Sequence, residues 1–302
     1  MAQVRLTVFT PTYNRVGLLR RTFESLLRQT SKDFLWLIVD DGSSDNTKET
    51  VDSWRKEADE AGFEIRYHYR ENGGKMRAHN TGVNLCDTDL FFCLDSDDYL
   101  TDNAVEVLLD AWDEASLCNA DGVTSVTSPI CGVIAHKGIS ESEILGGHDF
   151  PVTGVTTLFG LYLKGFGGET SLMFKTEVLR KFPFPEIDGE KYVPEDYIYD
   201  KIDQIYTMYA VPKIVTVCEI VSEGYTDSVA RLKRDNKMAW YLYYEQRAYI
   251  TPMSVLKLKY LGFYVLYAKK ANVKLSDSRR IGAADKLVGY IGAALLKLAH
   301  KE

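Results

Sequence analysis

Three carboxylates within four residues, Asp95, Asp97 and Asp98, follow the apolar run of residues 90–94 (LFFCL). Carboxylates this close repel one another strongly unless a cation balances them. Oxygen ligands at this density suit a hard divalent cation such as Mg²⁺ or Mn²⁺, which often shares its coordination shell with the phosphates of a nucleotide. The alternative is that these aspartates only cap a helix beginning near Thr101.

A second acidic pair, Asp40 and Asp41, follows another apolar run, residues 34–39 (FLWLIV). In parallel α/β sheets, ligands bind outside the carboxyl ends of the strands, where loops converge and helix N-termini point outward. Two acidic clusters at the ends of neighbouring strands would share one crevice, which makes the capping alternative much the weaker one. The pattern therefore predicts a site for a cation and a nucleotide.

The elements that must position these side chains alternate between strand and helix over the first hundred residues. The predicted strands are residues 5–10, 34–39, 64–69 and 90–94, and the predicted helices are residues 18–27, 47–61 and 76–85. This order predicts an α/β fold with a mostly parallel sheet flanked by helices. Apolar stretches at 131–135 and 171–174 predict antiparallel or edge strands, and helical patterns dominate from residue 237 onward, at 238–249, 255–270 and 279–300.

Four motifs in this order resemble the inverting family 2 glycosyltransferases, which have the GT-A fold. They are residues 10–15 (TPTYNR), 40–43 (DDGS) with Asp45 and Thr47 following, 72–82 (NGGKMRAHNTG) and 94–98 (LDSDD). The resemblance is strong over residues 4–109, weakens to about residue 221 and then lapses. It implies transfer of a sugar from a nucleotide diphosphate donor, with UDP favoured as the nucleotide, to a hydroxyl acceptor.

The resemblance also implies roles for the matching residues. The turn after the first strand would line the base pocket, with Tyr13 as a stacking face, and Asp40 would accept a ring N–H of uracil while Asp41 holds the turn or the ribose. Asp95 and Asp97 would contact ribose and metal. The candidates for nucleotide-sugar binding are Thr10, Pro11, Thr12, Tyr13, Arg15, Asp40, Asp41, Lys75, Asn80, Asp95, Ser96, Asp97 and Glu169. The candidates for the Mn²⁺ or Mg²⁺ ligands are Asp97, Asp98 and Asp95.

The acceptor hydroxyl needs a base, which the resemblance places in an acidic pair near the start of a helix. Asp196 and Glu195 follow Pro194 and precede the helical pattern of residues 197–205. We expect Asp196 to act as the base, with Glu195 as the second choice; the alternative is that both are favourable first-turn residues. Residues 222–231 are predicted to form a loop that closes over the diphosphate, and the glycines of 146–168 predict close approach to a ligand.

The end of the chain differs from the rest in charge. Residues 231–302 contain 15 Lys or Arg and five Asp or Glu, whereas the whole chain has a net charge of -7. Apolar and aromatic residues lie between these lysines, but no uncharged run approaches the roughly 18 residues needed to span a bilayer. The pattern predicts peripheral contact with an anionic membrane surface, or packing against the catalytic domain or a second subunit as a homodimer.

These observations predict a catalytic domain over residues 1–230, with a nucleotide-binding half at about 1–110 and an acceptor half at about 111–230, and a helical extension over 231–302. A membrane contact favours a lipid-linked acceptor or a growing polysaccharide. The start of the chain resembles no secretory signal, which predicts a cytoplasmic protein. Five cysteines without a Cys-x-x-Cys pair argue against a disulfide framework or zinc site, and the acidic body argues against nucleic-acid binding.

Two other functions are weighed against this one. A sugar nucleotidyltransferase uses a related sheet and metal-binding aspartates, but it usually has a glycine-rich loop with Arg and Lys after the first strand, which residues 10–15 lack. A non-catalytic nucleotide-binding module would retain the pocket without the base. The presence of both Glu195 and Asp196 argues against that module.

Overall fold

The computed structural model describes residues 4–120, 128–218 and 225–299. The strands are β1 (Leu6–Thr12), β2 (Phe34–Asp40), β3 (Ile65–Tyr69), β4 (Leu90–Cys93), β5 (Asp98–Leu100), β6 (Ile130–Gly138), β7 (Gly154–Thr156), β8 (Thr170–Lys175) and β9 (Thr207–Cys218). The helices are α1 (Val16–Leu27), α2 (Thr47–Ala61), α3 (Lys75–Leu85), α4 (Ala104–Ala120), α5 (Leu158–Leu163), α6 (Thr176–Lys181), α7 (Asp196–Asp203), α8 (Tyr225–Asp235), α9 (Lys237–Ile250), α10 (Val255–Lys270) and α11 (Ala283–Leu298).

The strands form one sheet in the order β3-β2-β1-β4-β8-β6-β9-β5, with β7 paired to β9. Strands β1 to β4 are parallel, which confirms the predicted α/β class. Strand β8 lies antiparallel between β4 and β6, and β5 and β7 lie antiparallel to β9. The sheet therefore changes from parallel to mixed beyond β4, as the apolar stretches after residue 110 predict.

The nucleotide-binding half folds as its hydrophobic spacing dictates. All seven residues of β2 are buried, as expected for a strand covered on both faces. Helix α1 buries Leu19, Phe23 and Leu26 at helical spacing, and the ring of Phe23 stacks on Trp54 of α2 with centroids 4.7 Å apart. Helix α2 ends where Gly62 adopts a φ of 93°, a left-handed cap conformation that glycine enters without steric strain.

One predicted boundary in this half is wrong. The helix expected near Thr101 begins at Ala104, because residues 98–100 form β5 and pair with β9. A three-residue strand is too short to leave a periodic signal in the sequence. Asp98 consequently lies in a strand of the sheet, whereas Asp95 and Asp97 lie in the turn before it.

The chain divides into two compact units. The first unit holds the described residues up to 183 together with 201–218, and it includes the whole sheet. The second unit holds residues 184–200 and 225–299, so the start of α7 groups with the C-terminal helices. Within the second unit, a core of aromatic and aliphatic side chains forms around Tyr244 and Tyr264 on α9 and α10.

Two further sequence predictions concern the end of the chain. Of the loop predicted at 222–231, residues 222–224 lie outside the described residues, and α8 begins at Tyr225. No helix in the described part of the chain is long and apolar enough to cross a membrane.

Candidate active site

Four loops at the carboxyl ends of β1 to β4 are held together by side chains. Asn14, in the turn after β1, adopts a φ of 51° and accepts the backbone N–H of Ser44 at 2.8 Å, while its own N–H donates to the Ser43 hydroxyl at 2.9 Å. Its neighbour Arg15 donates to Asp97 Oδ2 at 2.7 Å. The turn after β1 is thereby joined both to the turn after β2 and to the turn after β4.

Asp41 organises the loop between β3 and α3. Its carboxylate accepts the backbone N–H groups of Gly73 at 3.0 Å and Gly74 at 2.7 Å, and it also binds the guanidinium of Arg70. The Asn72 amide donates to the Asp41 carbonyl oxygen at 2.8 Å. Asp41 therefore holds mainly the neighbouring turn, the one after β3.

Asp40 is 1% exposed and lies at the end of β2. Its Oδ1 accepts the Ser43 N–H at 2.7 Å, and its Oδ2 accepts the Tyr67 hydroxyl at 2.6 Å. Burial is the larger cause and the Asp40 carboxylate the next one that raise the pKa of Tyr67 far above its ordinary value. The phenol therefore stays protonated and donates its hydrogen bond to Asp40. The alternation of residues along β3 gave no sign of a polar role for Tyr67.

Asp95 lies between two lysines from different elements. Lys75 Nζ, at the first position of α3, is 2.6 Å from Asp95 Oδ1, and Lys137 Nζ, on β6, is 3.9 Å from Asp95 Oδ2. Burial opposes ionisation, but the charges of Lys75 and Lys137 outweigh it and lower the pKa of Asp95 to about 2. Asp95 is therefore an anion held by two lysines.

Lys137 also binds Asp98. Lys137 is the main residue of this site that the sequence did not predict. Its Nζ is 3.1 Å from Asp98 Oδ2, and the two side chains are 16% and 7% exposed. Burial raises the pKa of Asp98 despite this lysine, and burial also raises that of Cys218 beside it. The one signal in the sequence is that Lys137 is the only charged residue of the otherwise apolar segment 130–138.

Asp97 differs from its neighbours in its exposure. Its side chain is 40% exposed and pairs with Arg15, which is 48% exposed. Among the described residues, no group of three His, Cys, Asp or Glu side chains is arranged to hold a metal ion. Of the three predicted ligands, Asp97 has the most exposed side chain.

The other predicted binding residues lie in different environments. Thr10 is fully buried, and its hydroxyl accepts the indole N–H of Trp36 at 3.0 Å, so it belongs to the sheet core. Thr12 Oγ1 is buried without a hydrogen-bond partner in the described part of the chain. The ring of Tyr13 is 49% exposed, so its face is accessible for stacking. Pro11 and Ser96 are buried, Asn80 lies half-buried in α3, and Glu169 is exposed before β8.

Within the second unit, the predicted base Asp196 is bound by an arginine. Arg247 on α9 donates to Asp196 Oδ2 at 2.8 Å, and its Nε is 2.5 Å from Asp200 Oδ2. Burial raises the pKa of Asp196, the charge of Arg247 lowers it, and Glu195 raises it further. Arg247 and Asp200 are 4% and 2% exposed, so their ion pair is buried, whereas the side chain of Asp196 is 37% exposed. The helical pattern around Arg247 did not predict this network.

Comparisons with known proteins agree with the motifs. The family model of glycosyl transferase family 2 matches residues 7–130. The GalNAc(5)-diNAcBac-PP-undecaprenol β-1,3-glucosyltransferase of Campylobacter jejuni is 26% identical over 189 residues, which are 60% of this chain and 55% of that protein. Other curated glycosyltransferases match over 104 and 110 residues, and the chain spans only 14% and 17% of their length.

Two solved structures show the same fold at low identity. Staphylococcus aureus TarS 1–349 in complex with UDP-GlcNAc superposes with a TM-score of 0.62 at 15% identity, covering 95% of this chain and 79% of that one. The mannosyltransferase PcManGT of Pyrobaculum calidifontis, in complex with GDP-Man and Mn²⁺, gives a TM-score of 0.56 at 18% identity, covering 97% and 80%. Both are similar to this chain in fold.

Proposed function

We propose that this chain, whose residues 7–130 match the family model of glycosyl transferase family 2, transfers a sugar from a UDP-sugar to the hydroxyl of a lipid-linked or growing polysaccharide. The acceptor is proposed by analogy with the relative from Campylobacter jejuni, whose name gives a lipid-linked acceptor, an undecaprenol diphosphate glycan. The nucleotide diphosphate donor is suggested by the family and by the ligands of the two similar structures. We further propose that the chain works at the inner face of the membrane as a peripheral protein.

The observation that carries the proposal is the convergence of four loops at the carboxyl ends of parallel strands. Arg15 joins the first loop to Asp97, and Lys75 joins the third to Asp95. Ligands bind at this edge of parallel sheets because loops and helix N-termini meet there. A base stacked on Tyr13 and a diphosphate near Lys75 would occupy this edge, and the unpaired hydroxyl of Thr12 offers a further hydrogen bond to the nucleotide.

For the cation, we propose Asp97 as the ligand contributed by this chain. A divalent cation bound with the diphosphate would neutralise the charge that develops on the leaving group. Asp97 fits this role because it is partly exposed and its pair with Arg15 lies in solvent, where breaking it costs about 1 kcal/mol or less. Asp98 fits poorly, since its buried carboxylate is bound by Lys137, and Asp95 is proposed to contact the ribose.

For the acceptor, we propose Asp196 as the general base, with Glu195 as the second choice. Direct attack of the acceptor oxygen on the anomeric carbon breaks the bond to the donor phosphate and passes the acceptor proton to this carboxylate. One base without a covalent intermediate gives inversion at the anomeric carbon. Arg247 is proposed to orient Asp196, because its contact at 2.8 Å fixes one carboxylate oxygen and leaves the other to face a substrate.

The test is an assay of the full chain with a panel of UDP-sugars, GDP-Man and a synthetic polyprenyl diphosphate glycan, in the presence of Mn²⁺. We expect release of UDP that depends on the acceptor, and a product whose anomeric configuration by NMR is opposite to that of the donor. Retention of configuration would contradict the single-base mechanism. Formation of a nucleotide-sugar from a sugar phosphate and UTP would instead identify a nucleotidyltransferase.

A further inference from the structure

Helix α11 exposes its large apolar residues and buries its small ones. Leu287, Tyr290, Ile291, Leu295 and Leu298 are 51–79% exposed, and with Ala294 they form one stripe at helical spacing that contains no charge. The buried positions are Gly289, Gly292, Ala293 and Leu296. A helix on the surface of a globular protein normally turns its large apolar residues inward, so this stripe is suited to an apolar environment outside the protein.

The glycines explain why the stripe cannot turn inward. A Cβ at Gly292 would lie 2.5 Å from the carbonyl oxygen of Leu258, and a Cβ at Gly262 would lie 2.6 Å from the carbonyl carbon of Gly292. Helices α10 and α11 therefore pack backbone against backbone, as helices do where lipid surrounds them. This contact fixes the orientation of α11 and keeps the stripe pointing away from α10.

A cleft beside the stripe adds positive charge. Its volume is about 870 Å³, and its walls come from the end of α10, residues 272–276 and α11. Val265, Leu275 and Ala293 give it an apolar lining, and Lys269, Lys274 and Lys297 lie around it. These three lysines are exposed, and none forms an ion pair with a carboxylate in the described part of the chain, so their charge is available to an anion.

We propose that the α11 stripe and the lysines of this cleft form the membrane-binding surface, which docks on anionic phospholipid. Tyr290 belongs to both the stripe and the cleft, so lipid tails at the stripe and headgroups at the lysines can be contacted together. The charge of the lysines matches an anionic headgroup, and an apolar face beside cations suits the interface of a bilayer. Because no described helix can span a membrane, α11 lies in the surface instead of crossing it.

This membrane-binding surface rests on the proposed function, in which the chain is a peripheral membrane protein. The vesicle test needs no donor or acceptor, so vesicle binding and sugar transfer can fail separately. The full chain is sedimented with vesicles of phosphatidylcholine, alone or mixed with phosphatidylglycerol. We expect binding only to the mixed vesicles and weaker binding at high salt. Ile291→Glu should weaken it by about tenfold or more, because an exposed apolar side chain that enters the interface becomes charged.

Leu117→Glu on α4 is the matched control. Leu117 is 65% exposed, close to the 68% of Leu287, and lies on a helix of the first unit. We expect Leu287→Glu to lose vesicle binding and Leu117→Glu to keep it, with both variants equally stable to heat. Equal binding by the two variants would overturn the proposal.

Lysine substitutions test the charge. Each of Lys269→Gln, Lys274→Gln and Lys297→Gln should weaken binding to the anionic vesicles by about fivefold, as expected for one cation near a charged surface. Lys56→Gln, at an exposed lysine of α2, should have no effect. If the stripe variants instead convert a dimer to a monomer in light scattering and bind vesicles like the parent, the stripe is an interface between copies and the proposal is wrong.

Discussion

Carboxylates meet cations in two regions of this molecule, and the arginines of the two regions differ in exposure: Arg15 is 48% exposed and Arg247 is 4% exposed. At the sheet edge, Asp95, Asp97 and Asp98 are matched by Lys75, Arg15 and Lys137 from three separate elements, and the outermost pair is 40–48% exposed. On α7, Asp196 and Asp200 share Arg247, and the Asp200–Arg247 pair is 2–4% exposed. We call these the sheet-edge carboxylates and the α7 carboxylates.

The difference in exposure separates a site that can exchange partners from one that cannot. An exposed ion pair contributes about 1 kcal/mol or less, so a metal and a diphosphate can replace the partner of Asp97 at small cost. Breaking a buried pair by removing one partner costs about 3–5 kcal/mol. Asp97 is thus suited to reversible binding, and Arg247 is suited to holding the carboxyl group of Asp196 in a fixed position.

The largest expected effect is on turnover when the proposed base is removed. Asp196→Asn should lower kcat by about 10²–10⁴-fold, the usual contribution of a general base, while the affinity for the donor stays unchanged. Steady-state transfer and donor titration measure the two quantities. Asp188→Asn, at an exposed position of the same unit, is the control. Normal turnover of Asp196→Asn would move the base to Glu195 or elsewhere.

Removal of the shared arginine should cost the most stability. Arg247→Met removes the guanidinium from the buried carboxylate of Asp200, and we expect the free energy of unfolding to fall by about 3–5 kcal/mol in urea melts. Arg234→Met, at an exposed arginine of the same unit, should change it by less than about 0.5 kcal/mol. A loss as small as that of the control would mean that the α7 carboxylates behave like exposed ones.

A milder variant tests orientation separately from folding. Arg247→Lys keeps a charge but loses the fork that contacts both carboxylates. Because Arg247 lowers the pKa of Asp196, a weaker contact should raise it, and the acid limb of the kcat/KM profile should move to higher pH. An unchanged acid limb would show that Arg247 does not act on the ionisation that limits turnover.

At the sheet edge, removing the half-buried Lys137 should lower the free energy of unfolding less than removing Arg247 does. Lys137→Met should destabilise the chain by about 2 kcal/mol at neutral pH, the usual range for a bond to a charged group, whereas Lys213→Met on β9 should have no effect. The pKa of Asp95 is lowered from 3.8 to about 2, so its contribution is present above pH 3.8 and is lost as the pH falls toward 2. The difference between parent and variant should therefore shrink over that range.

The smallest expected effect is at the rim. Tyr13→Ala should weaken donor binding by about 3- to 10-fold, the value of one stacked aromatic contact, and Tyr13→Phe should restore it. Isothermal titration with UDP measures this change. Tyr249→Ala, which removes a similarly exposed tyrosine from the second unit, should bind UDP like the parent.

The sequence predicts the regular part of this fold well because local spacing determines it. Helix α2 matches its predicted bounds, and the parallel strands agree to within about two residues, since each is a short apolar run followed by a polar turn. The position of β8 between β4 and β6 depends on contacts between distant segments, and no local pattern contains that information. The same is true of β5, which is only three residues long.

In the candidate site, too, local patterns can be predicted from the sequence and contacts between distant segments cannot. Asp40, Asp41, Asp95 and Asp97 could be found because each directly follows a predicted strand. Lys137 lies 39 residues from Asp98, and Arg247 lies 51 residues from Asp196, so their pairing appears only when the chain is folded. The sequence therefore predicts the acidic groups of both regions, but it does not predict the cations that decide whether a carboxylate is free to bind a ligand.

Thermal unfolding with nucleotide sugars tests the central claim, that the sheet-edge carboxylates bind a divalent cation and a nucleotide diphosphate, most directly. At a hundredfold excess over Kd, a bound donor should stabilise the parent chain by about 2.7 kcal/mol, a shift of several degrees in Tm. We predict this shift for a UDP-sugar with Mn²⁺, its loss in Asp97→Asn, and its retention in Asp102→Asn, an exposed aspartate nearby. An equal shift in Asp97→Asn and the parent, with or without Mn²⁺, would contradict the account.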